Sequence, residues 1–139
     1  MSERVEQAIA NHKKGYNCAQ SVACAYCDLF GIDEQTAFRL AESYGLGMGT
    51  MGTCGAVTAM AMVNGMKNSD GNLEAPASKK TSYSVMKTMT KEFLERNGSV
   101  MCDEIKGLTG GEVLRSCDGC IEDAANIIEK ILLSEEAKK

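Results

Sequence analysis

The chain has 139 residues, seven cysteines and a net charge of −4 at neutral pH. This length matches one domain with its own hydrophobic core, spanning residues 1–139, and the negative charge excludes the basic surface that nucleic-acid binding requires. The N-terminus lacks the apolar segment of a signal peptide, and the longest apolar run, residues 59–63, is too short to cross a bilayer. We therefore expect a cytoplasmic protein without membrane insertion.

Seven cysteines is a high number for a cytoplasmic chain. Reducing conditions oppose a permanent disulfide framework there, so metal binding or redox chemistry becomes the main question. Nine methionines, no tryptophan and one proline indicate a helical core filled by flexible and small side chains. The sequence predicts an all-α, compact single-domain bundle of about five to six helices without strands, and only residues 135–139 read as disordered.

The first predicted helix begins after a Ser2 cap and ends near His12, with Val5 and Ile9 on its apolar face. His12 is the single histidine of the chain and lies beside two lysines. We expect it to be a solvated helix end without a partner rather than a functional group.

The second predicted helix begins after Asn17, a good N-cap, and ends before Gly31. Cys18 then faces inward at the helix start, in a core stripe of Cys18, Val22, Ala25 and Leu29. Cys24 and Cys27 form a C-x-x-C pair in the middle of this helix. A redox motif of this kind usually follows a strand, so a packing role is favoured for both.

Asp33 caps a third helix, which leads into a glycine-rich loop over residues 45–52. Such a density of glycine marks left-handed turns or close approach of the backbone to another group. Residues 47–52 match G-x-G-x-x-G, but a helical pattern precedes them, which argues against a nucleotide site. We expect the loop to cover a cysteine site.

The central helix is predicted to begin at a Thr53 N-cap, with Cys54 in its first turn. Free backbone N–H groups and the helix dipole favour a thiolate at that position, although a buried packing role for the cysteine is the common alternative. One helix face carries only small side chains and can be approached closely: Cys54, Thr58, Ala61 and Gly65. Gly52 and Gly55, which flank the cysteine, are candidate cofactor-binding positions.

A polar connection over residues 67–76 is followed by a long helix from residue 77 or 78 to about Asn97. Its predicted core stripe consists of Tyr83, Met86, Met89 or Thr90, and Phe93. Gly98 ends it.

Two further cysteine positions follow. Ser99 caps a short helical turn that contains Cys102. Ser116 or Asp118 opens the last helix, whose inward stripe is Ile121, Ala124, Ile128 and Ile131. Cys117 and Cys120 form a C-x-x-C pair at its start, where a reactive or metal-ligating pair is physically plausible.

Four cysteines share one local design, because each follows a capping residue within the first turn of a predicted helix: Cys18, Cys54, Cys102 and Cys117. Helix starts that converge would gather positive dipole ends around sulfur, which is what a cluster of thiolates needs. We therefore expect these four cysteines to share one pocket, shielded by the glycine loop.

These anchors also resemble the C_GCAxxG_C_C family of proteins, which are regarded as redox-active. The matching segments are YNCAQSV around Cys18, the block CGAVTA from Cys54, MCDEIKGLTG around Cys102 and SCDGCIEDAA around Cys117. With the block read as Cys-Gly-Ala-x-x-Gly, Ala59 replaces its last glycine. The resemblance covers about residues 16–132.

This resemblance implies an all-helical domain that is redox-active through four cysteines and is often associated with transport functions. The family is also similar to the cluster-bearing region of split-Soret cytochromes, which implies an iron–sulfur site. No C-x-x-C-H occurs in the chain, so covalent haem attachment is not supported.

Three functions remain open at this point. In a thiol redox protein, Cys54 attacks or is oxidised and Cys18, Cys102 or Cys117 resolves it as a disulfide. In a metal protein, the same four thiolates hold zinc or an iron–sulfur cluster, and Cys120 is a further candidate ligand. In a helical interaction module, the cysteines only pack. The redox partner is unknown, and a homodimer is left open.

Overall fold

The computed structural model describes residues 2–134 and contains seven α-helices, with no strand in that range. The helices are α1 (Glu3–Lys13), α2 (Cys18–Tyr26), α3 (Glu34–Ala41), α4 (Gly55–Asn68), α5 (Lys79–Asn97), α6 (Cys102–Ile105) and α7 (Cys117–Leu132). The predicted all-α class is confirmed. None of these helices is long and apolar enough to cross a membrane. The expected disorder of residues 135–139 lies outside the described residues.

Several helix starts follow directly from capping chemistry. The side chains of Ser2, Asp33 and Ser116 each accept a hydrogen bond from a backbone N–H in the first turn of the helix that follows. Asn17 forms a full capping box, in which its side chain accepts from Gln20 N and the Gln20 side chain accepts from Asn17 N. These predicted caps are confirmed because a cap depends on residues within one turn of chain.

Two predicted caps are wrong. Cys54 itself is the N-cap of α4, because Thr53 pairs with Met101 in an isolated antiparallel bridge. Met101 is likewise the N-cap of α6, and the Ser99 hydroxyl accepts a hydrogen bond from Met101 N instead. A contact between segments distant in sequence therefore sets both helix starts.

The core lies where α4 packs against α2, α5 and α7, and α1 covers α2 and α7. Its largest fully buried side chains include Tyr26, Met60, Met89, Phe93 and Ile121. Three details differ from the predicted stripes. Leu29 and Tyr83 are exposed, at 42% and 64%. The small-residue face of α4 turns outward at Ala61, because the larger Met60 and Val63 fill the core.

Asn17 ties the start of α2 to the segment that leads into the glycine loop. Its Oδ1 accepts from Gln20 N at 2.8 Å, and its Nδ2 donates to the Glu42 carbonyl at 2.8 Å. We expect Asn17→Ala to lower the free energy of unfolding by about 1–2 kcal/mol, since it removes a cap and a long-range bond. Asn17→Ser keeps a capping oxygen and should lose clearly less in chemical denaturation. Equal losses in the two variants would contradict the capping role.

Candidate functional site: a pocket of five cysteines

A pocket of about 180 Å³ lies where the starts of α2, α4, α6 and α7 meet. Five of the seven cysteines line it: Cys18, Cys54, Cys102, Cys117 and Cys120. The structure thus brings all four cysteines of the predicted cluster together and adds Cys120. The C-x-x-C spacing from Cys117 was the sequence signal for this fifth member, since it places Cys120 one turn further along α7.

The position of each sulfur follows from the helix starts. Cys18, Cys102 and Cys117 are the first residues of α2, α6 and α7, and Cys54 is the N-cap of α4. Hydrogen bonds between segments hold two of them in place, because Cys54 N donates to the Val100 carbonyl at 2.7 Å and Cys102 N donates to the Gly52 carbonyl at 2.6 Å. At Cys54 the N–H groups of Ala56 and Val57 act on the sulfur.

The outer thiol pair, Cys18 and Cys117, is partly exposed. The two thiols lie close enough for each to shift the pKa of the other. The neighbouring Cys18 thiol lowers the pKa of Cys117 to about 6, assisted by the nearby charge of Lys106, and the Cys117 sulfur raises the pKa of Cys18. Cys117 is therefore held as a thiolate near neutral pH, with the proton on Cys18.

The inner thiol pair, Cys54 and Cys120, is buried, with exposed fractions of 5% and 2%. The neighbouring Cys120 thiol, together with the N–H groups of Ala56 and Val57, lowers the pKa of Cys54 to about 7 despite its burial. Cys54 was expected to react with Cys18, Cys102 or Cys117, whereas the thiol that shifts its pKa most in the structure is Cys120.

Cys102 is the fifth thiol of the pocket. It is buried, and burial is the main cause that raises its pKa. Lys106 lowers the pKa of Cys102 in part, but no thiol hydrogen bond contributes to the shift. Cys102 is therefore not activated by a lowered pKa.

Basic side chains line the same pocket: His12, Lys106 and Arg115. Arg115 pairs with Asp123, with its Nε at 3.1 Å from Oδ2. Among the described residues Lys106 forms no salt bridge, so its charge acts on the thiols. The expectation that His12 has no partner is wrong, because His12 Nδ1 lies 2.7 Å from Asp118 Oδ1. Asp118 is 106 residues away in sequence, so local sequence patterns could not predict this pair.

Gly55 and Gly52 have different parts in the site. Gly55 lines the pocket, and a Cβ there would lie 3.1 Å from Ala19 N and 3.3 Å from the Cys18 Cβ. The close approach predicted for α4 therefore occurs at its first residue. Gly52 does not line the pocket and acts through its carbonyl on Cys102. A cofactor role for either glycine stays a prediction.

The glycine loop contributes one side chain, Leu46, to the pocket wall. Leu46, Met48 and Met51 all have positive φ without being glycine, so the loop backbone is strained over residues 46–51. The loop thus borders the cysteine pocket, as the glycine pattern suggested.

Cys24 and Cys27 lie outside the pocket. Both are buried in a separate apolar cluster with Ala37 and Phe38. Burial raises the pKa of Cys24 to about 12. These two cysteines therefore serve as internal controls for any chemistry of the five.

The shifted pKa values predict how alkylation depends on pH. Because a thiolate is the reactive form, the iodoacetamide reaction of Cys117 should rise through about pH 6 and level off by about pH 7.5, well below the range of an ordinary thiol. Cys24 should stay unreactive up to about pH 9, since its pKa is far higher. Peptide mass spectrometry after timed labelling measures both rates. A Cys117 profile centred near an ordinary thiol pKa of about 8.5 would contradict the lowered pKa of Cys117.

Thiolates have the right chemistry for zinc or an iron–sulfur cluster. Within residues 2–134, however, no three His, Cys, Asp or Glu side chains are placed so that they could hold one metal ion. As placed, these side chains do not fit a metal centre.

Fold and site together define an all-helical protein with clustered cysteines at converging helix starts. A sequence model of the family described as "Putative redox-active protein (C_GCAxxG_C_C)" matches residues 16–131, and the chain belongs to this family. The match includes all five cysteines of the pocket. A search of curated proteins and a search of solved structures gave no match.

The pattern in that description reads Gly-Cys-Ala-x-x-Gly, with the cysteine second. With Cys54 in that place, Thr53, Gly55 and Thr58 stand where the pattern has Gly, Ala and Gly. The chain therefore departs from the family pattern at Thr53, Gly55 and Thr58, and not at Ala59 as the sequence analysis had it. Glycine in place of the pattern's alanine at position 55 agrees with the tight contact between α2 and α4.

Proposed function

We propose that the protein is a thiol–disulfide oxidoreductase in which Cys117 attacks a substrate disulfide and Cys18 completes the exchange. The observation that carries this proposal is the outer thiol pair, two partly exposed thiols at the starts of α2 and α7 that line one pocket. A nucleophile of this kind reacts best when its pKa lies near the ambient pH.

The reaction consists of two exchanges. The Cys117 thiolate attacks one sulfur of the substrate disulfide, which forms a mixed disulfide and releases the other sulfur as a thiolate that takes up a proton. Cys18 then gives up its proton and attacks the Cys117 sulfur, which releases the second substrate thiol. The substrate gains two electrons and two protons, and the outer thiol pair becomes a disulfide.

Exposure favours Cys117 over Cys54 as the attacking thiol. Both have lowered pKa values, but Cys54 is 5% exposed, whereas Cys117 is partly exposed. Lys106 stands near Cys117, where its positive charge stabilises the attacking thiolate and each thiolate that leaves.

The test is a redox titration of anaerobically purified protein, with metal content measured on the same sample. After equilibration in glutathione buffers, the protein is denatured, alkylated and digested. We expect a disulfide that links the Cys18 and Cys117 peptides, with Cys24 and Cys27 recovered as thiols. Seven free thiols in every buffer would overturn the proposal. Bound metal or iron with sulfide in stoichiometric amount would favour the metal centre instead.

The interaction-module alternative predicts seven thiols, no metal and only a loss of stability in cysteine variants. The cytoplasmic location, the redox partner, the association with transport and the homodimer stay proposals.

A further inference from the structure

The exchange at Cys18 and Cys117 leaves the inner thiol pair, Cys54 and Cys120, without a role. These two thiols resemble the outer pair, because they line the same pocket, one of them lies at a helix start, and each shifts the pKa of the other. The N–H groups of Ala56 and Val57 also lower the pKa of Cys54, which a cysteine that only filled space would not need.

We propose that Cys54 and Cys120 are a second redox pair that takes over the disulfide formed at Cys18 and Cys117, so that one pocket stores four electrons. This inference rests on the proposed function and extends it.

Helix geometry places the two pairs side by side. Cys117 and Cys120 are one turn apart on α7, so one helix carries a member of each pair. The other two members lie at the starts of α2 and α4, which touch where a Cβ on Gly55 would meet the Cys18 Cβ at 3.3 Å. A negative charge on Cys54 also raises the pKa of Cys18, which is a further sign of their proximity.

Burial requires that the inner pair be reached through the outer pair. Cys54 and Cys120 are 5% and 2% exposed, too little for the sulfur of a protein disulfide or of a peptide disulfide to approach. The outer pair is partly exposed and borders the same pocket. A disulfide therefore enters at Cys117 and moves inward.

The inward transfer balances without any further reactant. The Cys54 thiolate attacks the Cys18 sulfur of the outer disulfide, which forms a Cys54–Cys18 bond and releases Cys117 as a thiolate. Cys120 then loses its proton and attacks the Cys54 sulfur, which releases Cys18, and Cys18 takes up a proton. The inner pair is oxidised by two electrons and the outer pair is reduced by two, ready for another substrate.

The experiment follows both links over time. Protein reduced and freed of reductant is mixed with oxidised glutathione, and samples are quenched with acid, alkylated and mapped by mass spectrometry. We expect the 18–117 link first and the 54–120 link later, with four thiols lost in total and Cys102 recovered as a thiol. In Cys117→Ser the 54–120 link should form about 100-fold more slowly or not at all.

Cys24→Ser is the matched control, because it removes a buried cysteine outside the pocket, and it should show both links in the normal order. An 18–117 link that never passes to 54–120 overturns this inference and leaves the proposed function intact. Formation of the 54–120 link at an unchanged rate in Cys117→Ser also overturns it. Absence of both links overturns the proposed function itself.

Discussion

Replacing Cys117 by serine is expected to lower the rate of exchange with oxidised glutathione by about 100-fold or more. Serine is close in size to cysteine and can keep its place at the start of α7, but its hydroxyl is not ionised near neutral pH. Three other thiols of the pocket are buried, and burial still raises the pKa of Cys18 when Cys117 is replaced. Stopped-flow release of reduced glutathione measures this rate.

Cys27→Ser is the matched control for this loss, because Cys27 is 1% exposed in the separate cluster away from the pocket. Its exchange rate should match the wild-type rate once the folded fraction is confirmed by circular dichroism. A Cys117→Ser variant that is folded and exchanges at the wild-type rate would show that another thiol is the nucleophile.

Replacing Gly47 by alanine should lower the free energy of unfolding by about 2–4 kcal/mol. Gly47 has a φ of +60°, and a Cβ there would lie 2.4 Å from Gly52 N and 2.7 Å from Gly52 O, both backbone atoms. The backbone of the glycine loop must therefore shift. Because the Gly52 carbonyl accepts from Cys102 N, the shift also reaches the cysteine pocket.

Gly49→Ala separates the cost of the left-handed backbone conformation from the cost of a steric clash of the added Cβ. Gly49 has a φ of +71°, but a Cβ there would have no neighbouring atom within 4 Å. Alanine at this position therefore meets only the cost of the left-handed conformation, about 1–2 kcal/mol. Chemical denaturation should rank wild type above Gly49→Ala and Gly49→Ala above Gly47→Ala. Equal losses in the two variants would show that contact with Gly52 does not matter.

The parts of the fold that local chemistry determines could be predicted from the sequence. Asn17, Asp33 and Ser116 begin helices because their side chains bond to N–H groups within the first helical turn. The grouping of Cys18, Cys54, Cys102 and Cys117 could also be anticipated, since each falls at or beside a helix start.

Contacts between distant segments could not be predicted in the same way. The bridge between Thr53 and Met101 moved two helix starts, and the His12 pair with Asp118 joins distant parts of the chain. Local periodicity contains no information about such pairings. For the same reason the sequence singled out Cys54 but did not predict that Cys120 is the thiol that lowers its pKa.

The most direct test of the account is to trap the substrate on the attacking thiol. In Cys18→Ser the second exchange cannot occur, so reaction with oxidised glutathione near neutral pH should leave a stable glutathione mixed disulfide on Cys117, identified by peptide mass spectrometry. Wild-type protein treated in the same way should carry the 18–117 link and little adduct. An adduct that accumulates on another cysteine, or no adduct on any, would contradict the assignment of Cys117 as the nucleophile and Cys18 as its partner.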